Sequence, residues 1–154
     1  METTVNPIEI LLVEDNEGDA RLAQEALHDS KVMNNIHHVH DGIEAMDFLN
    51  RKGRYKAVPQ PDLILLDLNL PRKDGREILA EIKNDDNFKR IPVVVLTISN
   101  DEQDILKTYN LHVNCFITKP IDFEQFLQVI YSIEGFWLTV VKLPPKNTYK
   151  KKQG

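Results

Sequence analysis

The chain has 154 residues, 42% of them hydrophobic, and is expected to form one domain with its own core rather than two. No apolar stretch approaches the roughly 20 residues that cross a bilayer, and no basic-then-apolar leader opens the chain, so a cytoplasmic protein without membrane contact is expected. Net charge is −5, but every residue after Glu134 is neutral or basic; the body up to that point carries −10, which argues against nucleic acid as a partner.

The run Ile10-Leu11-Leu12-Val13 predicts a first buried strand that ends on the acidic pair Glu14-Asp15. A helix starts near Glu17 and carries Ala20, Ala23, Ala26 and Leu27 on one face. A short second strand falls around Asn35 to His40, and a second helix runs through Ile43, Met46 and Leu49 to a cap at Gly53. Arg54 to Pro61 reads as a loop long enough to serve in recognition. The third strand, Leu63-Ile64-Leu65-Leu66, stops at Asp67, with Asn69, Pro71, Asp74 and Gly75 following and a third helix through Ile78, Leu79 and Ile82. Val93-Val94-Val95-Leu96 is the fourth strand and ends on Thr97. Asp101 to about Tyr109 predicts a short polar helix anchored only by Ile105 and Leu106, a candidate mobile element.

Cys115-Phe116-Ile117-Thr118 is the fifth strand and ends on Lys119. Pro120 after it suits the start of a helix in trans. In the last helix Phe123, Phe126, Leu127, Ile130, Ile133 and Trp137 face the sheet. Val129, Tyr131, Phe136, Leu138, Val140 and Val141 add apolar surface beyond that stripe. Either the chain after Phe136 folds back over it or a second copy covers it, and a homodimer is one expectation. Pro144-Pro145 then opens an extended, lysine-rich end.

Continuous apolar runs alternating with helical patterns indicate parallel strands covered on both faces, an α/β doubly wound sheet. Such sheets bind ligands outside the carboxyl ends of their strands. Glu14, Asp15, Asp67, Thr97 and Lys119 therefore converge on one edge. Three carboxylates, a hydroxyl and an ammonium suit one divalent cation and one phosphoryl group.

With Glu14-Asp15, the segment Asp67-Leu68-Asn69-Leu70-Pro71-Arg72-Lys73-Asp74-Gly75, Thr97 and Lys119-Pro120 in this order, the chain resembles the receiver domain of two-component response regulators. The similarity runs from about Ile8 to Trp137 and leaves 138–154 as an extension. It implies a flavodoxin-like, five-stranded sheet in the order 2-1-3-4-5. It also implies that Asp67 accepts a phosphoryl group from a sensor histidine kinase. Mg²⁺ would be held by Asp15, Asp67 and the backbone carbonyl of Asn69, with Glu14, where the family more often has aspartate, acting through water. Lys119, oriented inward by a cis Pro120 as the competing alternative to a trans helix start, and Thr97 would meet the phosphoryl oxygens, and Thr97 with Phe116 would form the switch pair. The stretches Leu66 to Pro71, Ile91 to Thr97 and His112 to Phe116 are most similar to the small regulators that partner cyanobacterial phytochromes. A phytochrome-type kinase, a downstream protein partner and a stand-alone regulator are the corresponding expectations.

Other chemistries fit the same residues less well. A phosphatase of the haloacid dehalogenase type needs a second aspartate two positions after the first, where this chain has Asn69, which cannot act as the acid. A nucleotide site needs a glycine-rich loop after the first strand, and Glu14-Asp15-Asn16-Glu17-Gly18 is acidic instead. A receiver-fold interaction module that needs no phosphorylation stays open. His38 and His40 share a strand face, but no carboxylate or cysteine cluster beside them completes a metal set. Cys115 reads as a packed thiol. Ile98, directly after Thr97, either narrows the entrance to the site or turns into the core.

Overall fold

The computed structural model describes residues 7–30, 33–98, 113, 115–122, 124–129 and 132. The strands β1 (Ile8–Val13), β2 (Asn34–Val39), β3 (Leu63–Asp67), β4 (Val93–Thr97) and β5 (Cys115–Thr118) form one sheet in the order β2-β1-β3-β4-β5, with every pair parallel. That is the expected order, with β1 and β3 as inner neighbours. The helices are α1 (Glu17–His28), α2 (Gly42–Leu49) and α3 (Gly75–Asn84), and residues 124–129 are also helical. Among the described residues no helix is long and apolar enough to cross a membrane.

Strand periodicity divides the core between two faces. Leu11, Val13, Ile64, Leu66, Val93 and Val95 point to one side, where Ala45 and Phe48 of α2 and Ile78, Leu79 and Ile82 of α3 cover them. Ile10, Leu12, Leu63, Leu65, Val94 and Leu96 point to the other, against Ala20, Ala23, Ala26 and Leu27 of α1 and against Phe126. The alanine face of α1 lets that helix lie close to the sheet. Burial on both faces explains why these strands are unbroken apolar runs rather than alternating ones.

Each helix begins on a side-chain cap. Asn16 Oδ1 accepts from the Asp19 amide at 2.9 Å, and Asp41 Oδ1 accepts from the Glu44 amide at 2.8 Å. At α3, Asp74 accepts from the Arg76 amide while Glu77 accepts from the Asp74 amide, a reciprocal capping box.

The second helix ends earlier than its sequence suggests. Gly53 is the expected cap, but α2 stops at Leu49, and Arg51 takes the left-handed conformation with φ 55°. The Arg51 amide donates to Phe48 O at 3.1 Å and the Lys52 amide to Asp47 O at 2.9 Å, the paired bonds of a Schellman cap. Gly53 instead opens a 3₁₀ turn, Gly53–Tyr55, inside the segment read as loop. The Tyr55 ring packs at a tilt on Phe48, centroids 5.3 Å apart, so packing of this turn decides where the helix ends. The second strand is likewise shifted to Asn34–Val39, leaving His40 beyond its end. The polar helix expected at 101–109 and, of the apolar surplus, Tyr131, Phe136, Leu138, Val140 and Val141 lie outside the described residues; Val129, expected beyond the stripe, instead packs against the core that holds Phe126.

Candidate functional site

Parallel register brings the strand ends to one edge: Val13 lies beside Leu66, Asp67 beside Leu96, and Thr97 beside Thr118. Glu14, the residue after β1, is completely buried, and its amide extends the ladder by donating to Val39 O at 3.1 Å. Asp67, the last residue of β3, is buried as well, and its Oδ1 accepts from the Asn69 amide at 3.1 Å. Thr97 is buried at the end of β4, and its carbonyl accepts from the Lys119 amide at 2.6 Å. The Lys119–Pro120 peptide bond is cis, one of the two alternatives the sequence left open.

Lys119 is the hub. Its Nζ lies 2.9 Å from Glu14 Oε1, 3.1 Å from Glu14 Oε2 and 3.3 Å from Asp67 Oδ2. A further contact, 2.9 Å to Asp19 Oδ2 in the first turn of α1, was not read from the sequence. Nothing in the local pattern marks Asp19, because an acidic residue in a first helical turn is already explained by the helix dipole.

The charges are unbalanced in favour of anions. Burial, reinforced by the neighbouring Asp67 carboxylate, pushes the Glu14 carboxyl up to about 7, although the bond from Lys119 pulls the other way. Burial alone would lower the Lys119 ammonium, but bonds to Glu14 and Asp19 and the charge of Asp67 outweigh it and hold it above the ordinary lysine range. Glu14 Oε1 is buried without an aligned hydrogen bond despite its short ion-pair distance to Lys119. A close carboxylate pair and an orphaned buried oxygen are what an additional hard cation would relieve. Hence the residues present fit a divalent metal, although among the described residues no three His, Cys, Asp or Glu side chains are already arranged to hold one.

The remaining expected residues are placed around this centre. Asp15 and Asn69 are exposed at the rim. Phe116 is half-buried in β5 and packs against the face covered by α2 and α3. Ile98 is 60% exposed, which corrects the alternative that it turns into the core. His38 Nε2 lies 2.8 Å from Glu14 O, with its ring 4.3 Å from that of His40, while His37 on the opposite face pairs with Glu9. Cys115 is half-buried, and burial raises its thiol above the usual range.

Gly75 explains how α3 approaches the acceptor. A Cβ there would lie 2.5 Å from Asp67 O and 2.6 Å from Leu68 Cα, so only glycine lets this helix start against the strand end.

The protein-family model of the response regulator receiver domain matches residues 10–131. Response regulator Rcp1 of Synechocystis sp. is 51% identical over 138 residues, which are 90% of this chain and 94% of Rcp1. The crystal structure of the phosphorylated cyanobacterial phytochrome response regulator RcpA, 55% identical, superposes with a TM-score of 0.75 over 90% of this chain and 99% of RcpA. The Mn²⁺-bound form of Rcp1 gives a TM-score of 0.74 over 90% of this chain and 99% of that one. The bacteriophytochrome response regulator RtBRR, 41% identical, gives 0.79 over 91% of this chain and 86% of its own. The strand-end residues, the sheet order and these likenesses agree, and the chain belongs to the response regulator receiver domain family.

Proposed function

We propose that Asp67 is the phosphoacceptor of this receiver and takes its phosphoryl group from a phosphohistidine on a sensor histidine kinase of the phytochrome type. An Asp67 carboxylate oxygen forms the new P–O bond as the P–N bond to the kinase imidazole breaks; the nitrogen keeps the electron pair and takes up a proton. The observation that carries the reading is Lys119 Nζ, 3.3 Å from Asp67 Oδ2, where it meets charge on the arriving phosphoryl oxygens. Thr97 donates to one of those oxygens. Similarity to RcpA and RtBRR supports the kinase type.

Asp15, Asp67 and the backbone carbonyl of Asn69 are the proposed oxygen ligands for Mg²⁺, with Glu14 acting through water. When bound, the cation shields the nucleophile from the charge of the phosphoryl group. Phosphorylation adds about −1.5 to −2 charges and new acceptor oxygens. Thr97 moves toward them and Phe116 takes the space it leaves, which alters the surface offered to a downstream protein. Slow hydrolysis by the domain's own residues resets it. The receiver is taken as residues 8–137 with 138–154 as an extension, in a cytoplasmic homodimer.

Transfer of label from a phosphorylated kinase tests the acceptor. Asp67→Asn should abolish acid-stable, base-labile label while the fold persists, and label retained in that variant overturns the assignment.

A further inference from the structure

Lys119 is held from two sides. Its ammonium lies equally close to Glu14 Oε1 and Asp19 Oδ2, at 2.9 Å each, and farther from Asp67 Oδ2, at 3.3 Å. Three carboxylates thus surround the ammonium, with aligned hydrogen bonds to Glu14 Oε2 and Asp67 Oδ2 and a close ion pair to Asp19. Asp19 is aimed inward rather than offered to solvent: its side chain is 21% exposed, against 76% for Glu17 in the same turn. The Asn16 cap on the Asp19 amide fixes the residue that makes this contact.

We propose that Asp19 is a fourth acidic member of the site, a positioning residue that holds Lys119 and partly neutralises it, and so sets the balance between cation binding and phosphoryl binding. The proposal rests on the reading of Asp67 as phosphoacceptor. While Asp19 pairs with Lys119, the site is one charge more negative, which favours a divalent cation and opposes a phosphoryl anion. An acidic residue present only for the helix dipole would influence neither in this way.

The test uses Mg²⁺ alone, and beryllofluoride as an unreactive phosphoryl mimic at saturating Mg²⁺. Asp19→Asn keeps the size and an acceptor oxygen but removes the charge. It should weaken Mg²⁺ binding and tighten beryllofluoride binding, each by about threefold to tenfold, given a Coulomb term reduced by partial exposure. Asp19→Ser should repeat this pair of opposite shifts, and Asp19→Glu should restore both affinities. Thermal unfolding establishes that each variant is folded. Shifts in the same direction, or no shift in either affinity, overturn the role of Asp19 while leaving Asp67 untouched. If the unmodified protein binds no beryllofluoride in the presence of Mg²⁺, the phosphoacceptor reading falls and this one with it.

Discussion

Glu14 is a completely buried carboxyl. A folded-state value of about 7 against an ordinary 4.5 means that the folded protein holds this proton more tightly than the unfolded chain does. The metal-free protein therefore loses stability as pH rises from about 4.5 through 7, and keeps that loss above it. Glu14→Gln should remove the penalty. We expect the metal-free variant to be more stable than the parent at pH 8, on the order of 2 kcal/mol. The advantage should fade toward pH 4.5, as read by urea denaturation at both ends of the range. In Mg²⁺ titrations Asp15→Asn should weaken binding more than Glu14→Gln, since Glu14 is proposed to act only through water. The reverse order would exchange the two roles.

At the scale of elements, the N-terminus of α3 is the part fitted most closely to the site. Gly→Ala at a compatible position commonly stabilises by about 0.4–1 kcal/mol through the unfolded chain. Gly75→Ala should do the opposite, because its Cβ would meet backbone atoms of Asp67 and Leu68 that cannot rotate away. A loss of about 1–3 kcal/mol is expected, typical of an overpacked position. A lowered denaturant midpoint with an unchanged slope would bear this out, and a raised midpoint would show that the acceptor strand and α3 can separate freely. The loop between them is further tied to α2: Arg72, in the left-handed region at φ 66°, reaches the buried Asp41 cap at 3.1 Å.

For the molecule as a whole, the property to test is association. Phe136, Leu138, Val140 and Val141 are apolar residues that the sequence pattern leaves beyond the expected stripe of the last helix, and two-fold dimers are the commonest soluble assembly. Sedimentation at micromolar concentration should find a dimer that Val141→Glu weakens. A monomer in the unmodified protein, with and without phosphorylation, would remove the proposal.

The sequence by itself determined the layers and the edge. Four apolar runs ending on Glu14, Asp67, Thr97 and Lys119 and separated by helical patterns read as parallel strands with their carboxyl ends in one place; three are buried throughout, and β5, at the sheet edge, only in part. Those signals are local, a period and a final residue, so they survive without coordinates. Whatever depends on contact between distant segments was decided by the tertiary structure. Arg51 rather than Gly53 ends α2, because the turn at Gly53–Tyr55 packs its tyrosine on Phe48. Asp19 joins the site because α1 lies against the sheet on its alanine face and points that carboxylate at a lysine whose position β5 fixes. The raised Glu14 carboxyl follows from burial beside Asp67, against the opposing pull of a lysine 105 residues away, and no window of sequence contains all three groups.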